Sequence, residues 1–282
     1  LQIHWWLWPN VLSLDAPLIA VLWEMLFARC YDARVRPIAV ATMALWVWLI
    51  YASDRLLDGL DSTESATGET PRHRFYRVNR AAIVPWLAGG FVIALLLTAS
   101  QLRFRLLAYG IPMGILVSGY FLIVHRGPRA RQSLWPKELA VAVLFAAGTL
   151  LPVWANLPAS ATRLAVPAIL LAGILWMNAV GIERWEARLN AASQLCHRSG
   201  PTKLLANHLG AAALAIVAAS ILLISSSWMS TRELPLYLSI IVSASALAGV
   251  DQLRDLFGRN ALRVLADAAL LTPILFLPLI GR

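Results

Sequence analysis

Two short acid-bearing stretches, each placed where an apolar run ends, hold the residues of this chain best suited to chemistry. The first is Ser53-Asp54-Arg55-Leu56-Leu57-Asp58-Gly59-Leu60-Asp61, after the apolar run 37–52. The second is Asn178-Ala179-Val180-Gly181-Ile182-Glu183-Arg184-Trp185-Glu186, after 166–177. The chain has only 15 acidic residues, and Asp54, Asp58, Asp61, Glu183 and Glu186 are among them. Asp58 and Asp61 follow Asp54 at helical spacing, which lines three carboxylates along one face. Like charges so placed repel unless they are solvated, salt-bridged or holding a cation. Mg2+ takes oxygen ligands and bridges one or two carboxylates to phosphates. Arg55, Arg72, Arg74, Arg77 and Arg80 follow, with forked guanidinium groups suited to the same phosphates. The competing reading is a charged helix end in water, closed by those arginines. Glu183 and Glu186 stand one turn apart, with Asn178 two turns before Glu186 and Arg184 and Arg188 interleaved. Alone, the second stretch reads as a salt-bridged helix exit; it gains weight from the first.

Carboxylates must be positioned by something, and composition says what. The chain is 59% hydrophobic and 14% charged, with mean hydropathy +0.68. A soluble domain carries about 25% charged residues. Twelve tryptophans, many near the ends of apolar runs, suit a water–lipid interface. The runs are helix-length and not ten-residue alternations, so the expected fold is all-α, a polytopic membrane helical bundle. The two cysteines, Cys30 and Cys196, define neither a disulfide framework nor a zinc site. The net charge of +9 fits membrane topology better than nucleic acid.

Nine spans are expected, near 11–28, 36–53, 81–99, 104–124, 137–155, 164–182, 207–226, 234–250 and 262–280. The Trp-rich segment before them, 4–10, reads as an interfacial lead-in, and no removable signal peptide is evident. The loops joining spans 2–3, 4–5, 6–7 and 8–9 hold 16 Lys and Arg; the opposite side holds 8. This bias predicts a cytoplasmic N-terminus, cytoplasmic acidic stretches and an outer C-terminus. One integral membrane domain over 1–282 is expected. Spans 1–4, within 11–124, and spans 5–8, within 137–250, form a pseudo-repeat in hydropathy, with a ninth span at 262–280. Each acidic stretch follows the second span of its group, so the two can face one another across a cavity.

Other acids fall inside spans, where a charge is expensive. Glu24 is expected to pair with Arg29, and Asp267 with Arg263 one turn earlier. Asp15 is expected to reach the interface, and Asp251 and Asp255 to be solvated. His73, His125, His197 and His208 form no ligand pair.

The chain resembles the UbiA superfamily of intramembrane aromatic prenyltransferases over most of its length. That family carries N-D-x-x-D-x-x-x-D after its second helix. Ser53 stands at the Asn position, Asp54 at the first Asp and Asp61 at the last; Leu57 occupies the middle position and Asp58 follows it. The second motif is reduced to Asn178, Glu183 and Glu186. The stretch Trp135-Pro136-Lys137-Glu138-Leu139, with Gly148 and Pro152 later, resembles the family's segment before helix 5. The resemblance implies a UbiA-like nine-helix bundle, and topology and composition point to a bacterial inner membrane. It further implies Mg2+ held by Asp54, Asp58, Asp61, Glu183 and Glu186, and an isoprenyl diphosphate bound also by Arg72, Arg74, Lys137, Lys203 and Asn178. Departure of pyrophosphate would leave an allylic cation for a lipophilic or aromatic acceptor, in a site that keeps water out. Membrane lipids are the other expected contact; neither nucleic acid nor a protein partner is evident.

A second class stays open: a membrane transporter or non-catalytic lipid-binding protein on the same scaffold. A transporter predicts ionisable residues and broken helices at mid-membrane, whereas the acidic stretches lie at one membrane face. A lipid-phosphate enzyme that exchanges or hydrolyses a head group would use the same acids.

Overall fold

A computed structural model describes residues 4–61, 71–100, 104–125, 137–157, 162–189, 200–226 and 230–280. Among these the chain is helical, without strands. A one-turn 3-10 helix, Trp5–Leu7, runs into α1 (Trp8–Val11). Then come α2 (Asp15–Cys30), α3 (Pro37–Asp61), α4 (Pro71–Val78), α5 (Arg80–Ser100), α6 (Phe104–His125) and α7 (Lys137–Asn156). The second half holds α8 (Thr162–Leu189), α9 (Gly200–Asn207), α10 (Leu209–Ser225), α11 (Leu234–Gln252), α12 (Arg259–Ala268) and α13 (Pro273–Phe276).

Among the described residues seven segments are long and apolar enough to cross a membrane, and two bent pairs raise the number to nine if each counts as one span. The bent pairs are Trp5–Val11 with α2, at 75°, and α9 with α10, at 86°. These are the first and seventh of the expected spans. The chain is therefore an all-α integral membrane protein. Its helices form because an apolar backbone in lipid can satisfy its N–H and C=O groups only within itself. Pro85, Pro112, Pro152 and Pro167 lie inside helices, as membrane bundles tolerate.

The main core joins α2, α7, α8, α11 and α12 through Trp23, Phe27, Leu150, Ile174, Ile240 and Ala266. Small residues bring α2 close to α3: Ala16 and Ala20 pack on Met43 and Val47. A satellite core seats α4 and α5 on α3, around Leu49, Ala52, Tyr76 and Leu87. The outer faces of α5 and α6, with Trp86, Leu96, Ile115 and Leu116 exposed, are apolar surfaces suited to lipid.

The ninth segment is broken. Pro273 lacks the N–H that would continue α12 and would clash with the carbonyl four residues earlier, so the helix stops at Ala268 and restarts as α13. Hydrogen bonds to other helices take over. Trp23 Nε1 donates to the Leu270 carbonyl at 2.9 Å, and Thr272 Oγ1 donates to the Ser239 carbonyl at 3.0 Å. The hydroxyls of Ser243 and Thr272 meet at 2.7 Å.

Candidate functional site

The polar residues gather at one end of the bundle, where α2 and α12 begin and α3, α8 and α11 finish. At the bend between α1 and α2, Ser13 holds a left-handed backbone (φ 58), a conformation that costs a non-glycine residue free energy. It is fully buried, and its hydroxyl meets Arg55 Nη1 at 2.8 Å and the Tyr76 hydroxyl at 2.9 Å. Arg55 also donates from Nη1 to the Asn10 carbonyl and from Nη2 to Asp15 Oδ2 at 3.5 Å. Asn10 Nδ2 bridges two carboxylates, Asp15 at 2.7 Å and Asp267 at 3.2 Å. Asn178 Nδ2 reaches Asp267 from the other side at 3.5 Å. Six helices are thus tied by one network: α1, α2, α3, α4, α8 and α12.

Beside this network lies a cleft. It has room for about one water, about 10 Å³, and is lined by Leu7, Asn10 and Val11, by Pro71 and Arg72 of α4, and by Asn260 and Arg263 of α12. Arg263 is buried and closes on Glu186. Arg72 Nε is shielded from solvent and has no hydrogen-bond partner among the described residues. Burial, with Arg263 and Arg55 close by, pushes the Arg72 pKa down to about 9, while Glu186 and Asp15 act the other way. Guanidinium keeps its proton at neutral pH, so Arg72, half-buried, stays a cation beside Glu186 and Asp15. On the same helix, burial pushes the Tyr76 phenol up, and its hydrogen bond to Ser13 opposes that.

The expected ligands divide between two places. Asp54 and Asp58 are half-buried near the end of α3 and act electrostatically on Tyr120 of α6, together with Glu138 of α7. Asp61 closes α3, but its side chain lies outside the described residues. Glu138 is buried, accepts from Thr202 Oγ1 of α9 at 2.9 Å and has Lys137 at 3.9 Å. Lys137, Lys203 and Arg74 are exposed. Glu183 and Glu186 are half-buried near the end of α8. Arg72 links the two stretches, with both Arg55, the neighbour of Asp54, and Glu186 acting on it electrostatically. Among the described residues no three His, Cys, Asp or Glu side chains gather closely enough to hold a metal ion.

Several pairings differ from expectation. Glu24 does not pair with Arg29: the guanidinium donates to the Leu277 carbonyl at 2.9 Å, and both Glu24 carboxylate oxygens lie buried without a hydrogen bond among the described residues. Asp267 does not pair with Arg263, because the latter points across to α8. Asp15 does not reach out to the interface but turns into the network. Asp251 is not solvated; it receives Arg184 at 3.1 Å, Arg254 at 3.2 Å and Trp185 Nε1 at 2.8 Å. Gly181 makes the last contact possible, since a Cβ there would stand 3.2 Å from the Trp185 ring. Asp255 is exposed, as expected. Asn10, Ser13 and Tyr76 were not anticipated. A capping-type residue at a helix entry carries no chemical signal of its own, and only the fold brings these three to Arg55. His197 and Cys196 lie outside the described residues, as do the side chains of His73 and His125.

Compared with known proteins, the chain matches no family model, no curated protein and no solved structure at a significant level.

Proposed function

We propose that this protein is a UbiA-like intramembrane prenyltransferase that binds an isoprenyl diphosphate at the acid-bearing end of the bundle and passes the isoprenyl group to a lipophilic or aromatic acceptor. The observation that carries the reading is that Arg72 of α4 lies within electrostatic reach of both acid-bearing helices, through Arg55 of α3 and Glu186 of α8. On the same proposal that end is cytoplasmic, in a bacterial inner membrane.

Asp54 and Asp58 lie one turn apart on one helix, and two carboxylates are a donor set that Mg2+ accepts when phosphates complete its shell. Asp61 would be the third ligand, and Glu183 and Glu186 a second site. Bound there, Mg2+ would neutralise charge on a departing pyrophosphate. The chain's own residues do the rest. Lys137 and Lys203, exposed beside Glu138 and Thr202, offer mobile cations to phosphate oxygens, and Arg74 offers a guanidinium. On this reading the isoprenyl tail would lie against apolar helix faces, away from water at the reacting carbon.

The test is binding of geranylgeranyl diphosphate to purified protein in detergent, with Mg2+ and with EDTA, in wild type and Asp54→Ala. Mg2+-dependent binding that disappears in the variant is expected. Binding indifferent to both would end the reading for this substrate, and one other chain length would complete the test.

Two observations favour a transporter as the second reading: the unpartnered Glu24 within α2 and the break in the ninth segment. Both are features of ion and proton pathways. On that reading Glu24→Gln, and not Asp54→Ala, would abolish ion or proton movement in proteoliposomes.

A further inference from the structure

The network that joins α2 to α12 is short of positive charge and of hydrogens. It holds two carboxyls, Asp15 of α2 and Asp267 of α12. Among the described residues one guanidinium is hydrogen-bonded to them, that of Arg55 on Asp15. Two oxygens of the same network, Asp15 Oδ1 and Asn178 Oδ1, are buried without a donor among the described residues. The carboxyls are neighbours. One nitrogen, Asn10 Nδ2, donates to Oδ2 of both, at 2.7 Å and 3.2 Å, and the two side chains stand within hydrogen-bond reach of each other. A carboxylate can only accept, so that contact needs a hydrogen on one of them. Fully ionised, the pair would set two like charges side by side against a single guanidinium, almost out of water.

The other charged and titratable groups nearby do not remove the shortage. Tyr51 of α3 and Tyr76 of α4 lie within electrostatic reach of Asp15 but are uncharged phenols. Arg72 of α4 acts on Asp15 without an ion pair to it among the described residues, and has Glu186 acting on it too. Arg263, on the helix of Asp267, closes on Glu186, and Asp251 of α11 is held by Arg184 and Arg254. Asn10 and Asn178 carry no charge. A metal cation would restore the balance, yet both asparagines direct their Nδ2 hydrogens at Asp267, which such an ion would have to approach. A proton supplies charge and hydrogen together.

We propose that Asp15 and Asp267 form a proton-binding site, in which the two carboxyls share one proton at neutral pH and so fasten the entry of α2 to α12. The proton belongs to the pair and not to either residue. When it leaves, two carboxylates face one another and α12 is pushed away from α2. The inference does not rest on the prenyltransferase reading, since it uses none of the residues assigned to Mg2+.

The test is infrared spectroscopy of purified protein in detergent at neutral pH, reading the carbonyl stretch of a protonated carboxylic acid. Wild type is compared with Asp15→Asn and Asp267→Asn. Glu24 has a carboxyl of its own, so difference spectra against each variant isolate the pair, and Glu24→Gln is the control. Each Asp→Asn variant leaves a single carboxylate with Arg55, so the pair's band should be missing from both and kept in Glu24→Gln. As pH rises the band should disappear from wild type and the melting temperature should fall with it, because the folded protein holds a proton that the unfolded chain gives up. Asp267→Asn should flatten that fall. Exchanging choline chloride for sodium chloride at constant pH should leave the band unchanged. No band in either difference spectrum overturns the proposal, as does a band missing from only one of the two variants. Loss of the band on adding Na+ would make the occupant an ion and overturn it too. Should either variant fail to fold, the wild-type titration still decides: a melting temperature indifferent to loss of the band overturns the proposal.

Discussion

The Arg55 guanidinium reaches Asp15 of α2 at 3.5 Å, with both side chains almost out of solvent at 7% and 12% exposure. Arg55 therefore belongs to the scaffold, although it lies one residue from Asp54. Adjacent residues in the acidic stretch do different things: Arg55 locks the helices, and Asp54 faces the α6–α7 side.

Removing one partner of such a pair strands the other. Arg55→Leu should destabilise the protein by about 3–5 kcal/mol, the range for breaking a buried ion pair. The double variant Arg55→Leu with Asp15→Leu should recover part of that loss. Thermal or denaturant unfolding in detergent measures both. Equal stability of Arg55→Leu and wild type would mean that the pair carries no net energy.

Glu24 gives the opposite sign. Its side chain is fully buried and neither oxygen is hydrogen-bonded. Replacing an unmatched buried carboxyl by an apolar residue of similar volume removes a desolvation penalty, so Glu24→Leu should raise the melting temperature, by about 1 kcal/mol or more in stability terms. A clear fall would show that the carboxyl holds a partner important to the fold.

Gly181 and Trp185 provide a packing test. Gly181→Val would press its side chain on the indole, move Trp185 Nε1 from Asp251 and loosen the α8–α11 contact. Overpacking of this kind costs about 1–3 kcal/mol. Gly210→Ala, where a Cβ would meet open space, is the matched control and should be silent. Tryptophan fluorescence and melting temperature report the two effects.

Orientation can be checked on the intact membrane. With Cys30 and Cys196 replaced by serine, Arg232→Cys should react with an impermeant maleimide from outside, and Lys203→Cys should react only after permeabilisation. Both positions are exposed. The reverse pattern would invert the topology drawn from the Lys and Arg counts.

The spans were legible because apolar length is a property of a local window. Each expected segment overlaps a helix, although α3 and α8 run seven or eight residues past their expected ends and the ninth is broken, and the bend at Ser13 falls close to the boundary between the lead-in and the first span. Pairing was less legible. Sequence proximity suggested Glu24 with Arg29 and Asp267 with Arg263, yet each arginine points away along its own helix. Arg29 meets a carbonyl of the ninth segment and Arg263 meets Glu186 of α8. Spacing along one helix says which side chains share a face, not what the opposite helix presents to them. The break at Pro273 had a local signal, since a proline within an apolar run can stop a helix. What rescues that break, Trp23 and Ser239, lies too far along the chain for any window to connect.

That rescue also imposes an order on biogenesis. Trp23 and the Leu270 carbonyl are 247 residues apart, so the indole of the first segment enters the bilayer long before its acceptor has been synthesised. The ninth segment cannot be a self-sufficient insertion unit, because the carbonyl and hydroxyl at its break find their matches only on α2 and α11. Membrane integration must therefore finish as a ring closure between the earliest and latest helices, and a nascent chain stalled before α12 would present an open seam to the cell's quality control.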